Sequence, residues 1–217
     1  LTQGEINEIM AYDKFDEDME AWNKAMRAYY YQKKEHFELL PDTENEIIFL
    51  GNSITDGCEW AELFQNPNIK NRGIGGDDTD GVLERLDEII SSKPSKIFIM
   101  IGTNDMAYGK TVDYVVSNYT KIIDSIQIIC PDTKIYIQSV LPVDDAIHYT
   151  RSTSDIMQIN THLEKLSAEK SIEYIELFSI FSNDDNKLNP DYSLDGLHLN
   201  GKGYQVWKEA IQKYVEE

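Results

Sequence analysis

The chain has 217 residues, 41% of them hydrophobic and 27% charged, which is typical of one globular domain with a sizeable core. Its 39 acidic and 20 basic residues give a net charge of −19, which repels nucleic acids and anionic membrane surfaces. The two cysteines, Cys58 and Cys130, are too few for a disulfide framework or a zinc cluster. The composition therefore argues against a nucleic-acid-binding protein and against a zinc-cluster protein.

No apolar stretch reaches the roughly 18 residues that a membrane-spanning helix needs, and the sequence contains no signal peptide. The chain begins at Leu1 rather than at Met, which indicates that upstream residues were removed. A cleaved signal peptide would explain this start. We therefore expect a soluble protein, for which export to the periplasm or the exterior stays open, as does the oligomeric state.

Residues 1–40 differ from the rest of the chain because they are acidic and rich in aromatic residues, and the first proline is Pro41. Apolar side chains recur there at steps of three and four residues, the period of an amphipathic helix. The members of this stripe are Ile6, Ile9, Met10, Phe15, Met19, Trp22, Met26, Tyr29 and Tyr30. We predict an N-terminal extension of one or two helices that packs on the rest of a single domain.

From residue 46 onward, short apolar runs alternate with helical patterns. The apolar runs cover residues 46–50, 69–74, 97–101, 135–140 and 172–176. The helical patterns cover residues 79–91, 112–129, 154–170 and 202–215. Apolar runs of this length are typical of strands that are covered on both faces. The alternation predicts an α/β core over residues 46–215, with a parallel sheet and right-handed crossovers, inside one domain spanning residues 1–217.

Three glycine-containing polar segments follow the first three apolar runs closely. They are residues 51–53, 73–77 and 102–105. In parallel sheets, ligands bind outside the carboxyl ends of the strands. We therefore expect these segments to meet at one edge of the sheet and to form a site there.

Ser53 follows the first predicted strand, in the segment Gly-Asn-Ser-Ile-Thr at residues 51–55. A serine on a sharp turn between a strand and a helix exposes its hydroxyl, and the N–H groups of the helix start point at the same place. A serine in this position is more often a helix cap than a nucleophile. Ser53 is thus a candidate nucleophile only if the chain also supplies groups that activate it.

Asp195 and His198 are candidates for that activation. A nucleophilic serine needs a base, and the base needs a group that orients it. At a spacing of three residues in a glycine-rich segment, the Asp195 carboxylate can reach Nδ1 of His198 and leave Nε2 free for the serine proton. Of the four histidines, only His198 has this arrangement. Considered alone, the pair also fits an ordinary loop or helix start.

Stabilising the oxyanion of a tetrahedral intermediate requires preorganised hydrogen-bond donors. The candidate donors are the backbone N–H of Ser53, a backbone N–H in Gly75-Gly76 and the side-chain amide of Asn104. Glycine tolerates a positive φ and can therefore turn its N–H inward. Segments of this composition are also common as plain turns.

The four segments occur in the same order as in the GDSL/SGNH hydrolase family, which the chain resembles over about residues 46–210. The sequence Asn-Arg-Gly-Ile-Gly-Gly-Asp at residues 71–77 resembles the acetylhydrolase-like branch of that family. The resemblance implies a flavodoxin-like three-layer α/β/α sandwich with a five-stranded parallel sheet. The family more often has Asp where this chain has Asn52, a position outside the catalytic roles, so we expect activity to be retained.

The resemblance also implies the roles of the site residues. Ser53 would be the nucleophile, His198 the general base and Asp195 its orienting group. The oxyanion hole would consist of the Ser53 N–H, the Gly76 N–H and the side chain of Asn104.

The expected function is a serine esterase for short acyl groups, O-acetyl groups on a small molecule or glycan among them, with no cofactor and no metal. Candidate substrate-binding residues in the loops are Trp60, Tyr108, His148 and Arg151. For Arg151, a surface salt bridge is the main alternative. Two other functions stay open, namely a lipase or lysophospholipase with the same triad and a glycan-binding module without turnover.

Overall fold

The computed structural model describes the backbone of residues 2–217 and the side chains of residue 2 and of residues 20–217. It divides into two compact units, Leu1–Leu39 and Leu40–Glu217. In the first unit, a single helix α1 spans Gln3–Leu39, where the sequence allowed one helix or two. The packing of this extension on the core and the single-domain boundaries stay predictions. Part of the apolar stripe lies outside the described side chains, namely Ile6, Ile9, Met10, Phe15 and Met19.

The second unit contains a five-stranded sheet in the order β2-β1-β3-β4-β5. Its strands are β1 (Ile47–Gly51), β2 (Ile69–Gly73), β3 (Lys96–Met100), β4 (Lys134–Gln138) and β5 (Glu173–Ile175). All neighbouring strands are parallel, and the ends of β1, β2 and β3 align, since Gly51 pairs with both Gly73 and Met100. The predicted five-stranded parallel sheet of flavodoxin-like order is confirmed.

Nine helices follow α1 in the described part of the chain. They are α2 (Ser53–Asp56), α3 (Trp60–Leu63), α4 (Thr79–Glu84), α5 (Leu86–Ser91), α6 (Thr103–Ala107), α7 (Val112–Ile129), α8 (Thr153–Lys170), α9 (Phe178–Phe181) and α10 (Gly201–Glu216). The three long helices α7, α8 and α10 begin after side-chain caps, Thr111, Ser152 and Asn200, which accept an N–H from the first turn. No helix in the described residues is long and apolar enough to cross a membrane.

The helices lie on both faces of the sheet. The chain crosses from β1 to β2 in one direction and from β2 through β5 in the other, so right-handed crossovers put α2 and α3 on one face and α4, α5, α7 and α8 on the opposite face. The α10 helix joins α3, because the Trp207 ring lies edge-on to Trp60 at 4.8 Å. Beneath them, Phe49, Phe98 and Tyr136 stack across three strands with ring centroids 4.9 and 4.5 Å apart. The result is the predicted three-layer sandwich.

The helical pattern predicted over residues 79–91 is interrupted at Arg85, which leaves helical geometry at φ −112° and ψ 13°. The Arg85 guanidinium donates to the carbonyl oxygens of Gly51 at 3.2 Å and Arg72 at 2.9 Å. It also forms an ion pair with Asp77 at 2.8 Å, in which both side chains are only 1% exposed. Residue periodicity does not detect this break, because the break depends on strand ends that are distant in sequence.

Removing the charge of Arg85 is expected to destabilise the protein strongly. In Arg85→Met, the Asp77 carboxylate stays buried without its partner, and breaking a buried ion pair costs about 3–5 kcal/mol. Chemical denaturation monitored by circular dichroism measures this loss. The matched control is Lys165→Met, which removes one member of an exposed pair with Glu169 and should change stability by less than about 1 kcal/mol. Equal stability of the two variants would contradict the prediction.

Candidate active site

Ser53 stands at the carboxyl end of β1, at the start of α2. The Asn52 side chain accepts the N–H of Ile54 at 3.0 Å and so caps this helix, which means that Ser53 is its first residue and not its cap. A Cβ at Gly73 would lie 2.2 Å from the backbone nitrogen of Asp56. The end of β2 therefore approaches α2 this closely only because residue 73 is glycine.

Ser53, His198 and Asp195 form one hydrogen-bonded row, although 145 residues separate the serine from the histidine. Ser53 Oγ lies 2.9 Å from His198 Nε2, and His198 Nδ1 lies 2.7 Å from Asp195 Oδ2. A carboxylate only accepts, so Nδ1 carries the proton and Nε2 of the neutral ring accepts the serine hydroxyl. The structure thus brings the three predicted residues together in an order suited to proton transfer from serine to imidazole.

The Asp195 carboxylate is held in place by its own loop. Its Oδ1 accepts the backbone N–H groups of Leu197 at 2.9 Å and of His198 at 2.8 Å, while Oδ2 faces the imidazole. Partial burial opposes the charged form, but these hydrogen bonds outweigh it and keep the pKa of Asp195 well below its ordinary value. The carboxylate is therefore ionised wherever the neighbouring imidazole is to act as a base.

The three predicted oxyanion donors lie on different segments. The backbone N–H groups of Ser53 and Gly76 have no acceptor within the described part of the chain, and Gly76 adopts a positive φ of 78°. Asn104, 5% exposed, uses one amide N–H to donate to the carbonyl oxygen of Asp77 at 2.8 Å. The second N–H of this amide has no acceptor among the residues described, so it is available to a ligand.

Two buried carboxylates, Asp77 and Asp105, lie next to the predicted oxyanion donors and were not predicted from the sequence. Asp105, 0% exposed, accepts the N–H of Thr79 at 3.0 Å and its hydroxyl at 2.5 Å, which ties α6 to the start of α4. Burial raises the pKa of Asp105 to about 6, and the Thr79 hydrogen bonds limit the rise. Burial likewise raises the pKa of Asp77 to about 6, against the influence of Arg85. The only sequence signal for them was their adjacency to Gly76 and Asn104.

Three of the four candidate substrate-binding residues contact the site. Tyr108, 56% exposed, donates its hydroxyl to the Gly76 carbonyl oxygen at 2.9 Å. His148 Nε2 donates to the Asp195 carbonyl oxygen at 2.8 Å. Arg151 Nη2 donates to Oδ1 of Asn104 at 2.9 Å, and the salt bridge considered as its alternative is absent within the described side chains.

The prediction that Trp60 binds substrate is wrong, because this side chain belongs to the core. Trp60 is 1% exposed, stacks on Phe49 at 4.4 Å and donates Nε1–H to the Thr55 carbonyl oxygen at 2.8 Å. Although Trp60 follows Ser53 closely in sequence, α3 carries it onto the face of the sheet where it packs against Trp207 of α10.

The arrangement can deprotonate the Ser53 hydroxyl as it attacks an electrophilic carbon, and it offers free N–H donors to the oxygen that becomes negative. In the part of the chain that the structure describes, no group of three or more His, Cys, Asp and Glu side chains could hold a metal ion. A flavodoxin-like sheet with this row at its carboxyl edge defines the GDSL/SGNH class of hydrolases.

Comparison with known proteins identifies the family. The model of the GDSL-like Lipase/Acylhydrolase family matches residues 49–206. Platelet-activating factor acetylhydrolase IB subunit alpha2 of Gallus gallus is 30% identical over 188 residues, which cover 81% of this chain and 80% of that protein. The chain therefore belongs to the GDSL-like lipase/acylhydrolase family.

Solved structures agree with this membership. A chain described as a platelet activating factor from Streptococcus pneumoniae has a TM-score of 0.82 and 30% identity, covering 93% of this chain and 98% of that one. A chain described as an acylhydrolase from Bacteroides fragilis has a TM-score of 0.76 and 25% identity, covering 86% of this chain and 95% of that one.

Proposed function

We propose that the protein is a serine esterase that hydrolyses short acyl esters, O-acetyl esters above all. Ser53 is the nucleophile, His198 the general base and Asp195 the group that orients it. The observation that carries the proposal is the continuous row from Ser53 Oγ through His198 to Asp195, at 2.9 and 2.7 Å. Membership in an acylhydrolase family supports it.

In the first half of the reaction, Ser53 Oγ attacks the ester carbonyl carbon while its proton passes to His198 Nε2. The carbonyl oxygen becomes an oxyanion and accepts hydrogen bonds from the Ser53 N–H, the Gly76 N–H and the Asn104 amide. The bond to the alcohol oxygen then breaks, and His198 returns its proton to the departing alcohol. An acyl group remains on Ser53.

In the second half, His198 takes a proton from a water molecule, whose oxygen attacks the acyl carbon. The same three donors stabilise the second oxyanion. Collapse of this intermediate breaks the bond to Ser53 Oγ, which regains its proton from His198, and the carboxylic acid leaves. Asp195 stays ionised throughout and stabilises the transient imidazolium.

Asn104→Ala is expected to lower kcat by roughly 10²–10³, the usual cost of one oxyanion donor, with a much smaller change in KM. The reason is that the second amide N–H of Asn104 acts on charge that develops only in the transition state. Steady-state kinetics on a p-nitrophenyl acetate substrate measures the effect. The matched control is Asn68→Ala at an exposed position before β2, which should leave kcat unchanged. A loss confined to KM would contradict an oxyanion role for Asn104.

The preference for short acyl groups is supported by the relative of the same family that is named an acetylhydrolase. A series of p-nitrophenyl esters from acetate to decanoate tests it. We expect kcat/KM to be highest for acetate to butyrate. A maximum at octanoate or longer would instead identify a lipase or lysophospholipase with the same catalytic residues.

The alcohol part of the substrate is tested separately, since a carbohydrate is one candidate. Acetate release from acetylated xylan and from acetylated sialic acid is the measurement. Release from either glycan supports carbohydrate deacetylation, whereas activity on short esters together with no release from both glycans would contradict it.

A further inference from the structure

Arg151 is a half-buried cation at the rim of the candidate active site. It lies in the loop between β4 and α8, one residue before the cap Ser152. Its Nη2 donates to Oδ1 of Asn104 at 2.9 Å, on the same amide whose nitrogen is an oxyanion donor. Only the Asn104 side chain therefore separates the guanidinium from the place proposed for the reacting carbonyl.

This guanidinium has no carboxylate partner among the side chains of residue 2 and residues 20–217. Arg85 and Arg72 pair with Asp77 and Glu88 at 2.8 Å, but no acidic side chain lies within ion-pair distance of Arg151 among those that the structure describes. This is unexpected in a chain with 39 acidic and 20 basic residues. Burial lowers the pKa of Arg151, and the Tyr108 hydroxyl beside it is the opposing influence.

The hydrogen-bonding capacity of Arg151 is also largely unused. Within the described part of the chain, its buried Nε has no hydrogen-bond partner and its Nη1 makes no hydrogen bond. A charge withdrawn from water is costly unless an opposite charge or hydrogen bonds replace the lost hydration. The guanidinium fork matches the geometry of carboxylate and phosphate groups. An anion that enters from the substrate side would supply the missing partner.

We propose that Arg151 binds an anionic group of the substrate, so that the preferred substrates are short acyl esters whose alcohol carries a carboxylate or a phosphate group. This inference rests on the proposed esterase function and names its substrate class. Anchoring the charge on Arg151 holds the ester next to the amide of Asn104. The net charge of −19 repels an anionic substrate at longer range, but this repulsion is screened beyond about 8 Å at physiological ionic strength. The attraction of an anion in contact with Arg151 is not screened in this way.

Two matched substrate pairs test the proposal at about 0.15 M salt. One pair is acetoxybutanoate and its uncharged amide, acetoxybutanamide, and the other is acetylated glycerol phosphate and acetylated glycerol. We expect kcat/KM to favour the anionic member of at least one pair by roughly 10-fold or more, the range of a charge-assisted hydrogen bond. The pair with the larger ratio identifies the anion as a carboxylate or a phosphate.

Substitution then assigns the preference to Arg151. In Arg151→Gln, the anionic-to-neutral ratio should fall to about 1, with most of the change in KM, and Arg151→Lys should restore part of it. Loss of the contact with Asn104 lowers kcat/KM for both substrates, and this effect cancels in their ratio because both are measured on the same enzyme. Lys202→Gln removes an exposed surface charge paired with Asp191 and should leave the ratio unchanged.

Calorimetric binding of acetoxybutanoate and acetylated glycerol phosphate to the Ser53→Ala variant separates this inference from the esterase proposal. If Arg151→Gln weakens binding roughly 10-fold or more, the result supports the anion-binding role of Arg151. This holds even if the wild-type enzyme cleaves no ester, a result that would overturn only the esterase proposal. Ester cleavage with a ratio near 1 for both pairs, or a ratio unaffected by Arg151→Gln, overturns the inference alone. If the wild-type enzyme cleaves no ester and binding does not depend on Arg151, both proposals are overturned.

Discussion

Ser53→Ala is expected to lower kcat by about 10⁴–10⁶ on any ester that the wild-type enzyme cleaves. Without Oγ there is no atom to form the acyl-enzyme, and His198 has no hydroxyl to deprotonate. The residual rate would come from the oxyanion donors and substrate positioning alone. Steady-state kinetics with p-nitrophenyl acetate measures the loss, and mass spectrometry checks that no acyl group accumulates.

The fold should tolerate this substitution, which keeps the experiment interpretable. Asn52, not Ser53, caps α2, so alanine at position 53 removes no helix cap. The matched control is Ser91→Ala, at an exposed serine at the end of α5, which should retain full activity. Full esterase activity in Ser53→Ala would refute the mechanism, and an inactive wild-type protein that binds glycans would favour the binding module.

Asp195→Asn is expected to lower kcat by roughly 10⁴, because it reverses the hydrogen-bond pattern of His198. Two backbone N–H groups, of Leu197 and His198, donate to Oδ1 of residue 195, so the amide oxygen of the new side chain must occupy that place. Its NH₂ group then faces Nδ1 of His198 and forces that nitrogen to accept. The ring proton moves to Nε2, which can no longer accept the proton of Ser53.

This prediction depends on tautomer control and is separable from a general loss of structure. The backbone hydrogen bonds of the loop persist in Asp195→Asn, so the thermal unfolding midpoint should change little. The matched control is Asp191→Asn in the same segment, which disrupts only an exposed pair with Lys202 at 2.7 Å and should retain full kcat. A kcat within 10-fold of the wild type for Asp195→Asn would show that the carboxylate does not orient the imidazole.

Much of the fold could be predicted because its signals are local. The long helices agree with the predicted patterns to within one residue, because apolar periodicity and capping residues both act over a few positions. The strands were found to within a few residues, since buried parallel strands are continuous apolar runs. The short helices α3, α6 and α9 were not predicted, because one turn of helix carries no periodic signal.

Predictions about individual side chains depended on whether partners were close in sequence. Asp195 and His198 are three residues apart, so their contact followed from spacing. Trp60 was misassigned because its burial depends on Phe49 and Trp207, which lie on other elements. The structural role of Arg85 could not be predicted for the same reason, since its partners are strand-end carbonyl oxygens and Asp77.

The class of fold, the order of its elements and the residue types that acyl transfer requires can be predicted from the amino-acid sequence, because they follow from local pattern and from the order of four short segments. Three features follow only from the packed chain: Asn52 caps α2, Arg85 joins two strand ends to Asp77, and Arg151 approaches Asn104 without an ion-paired carboxylate among the described side chains. Each of these depends on which polar groups remain unpaired once the sheet has formed, and that is a property of the packed chain.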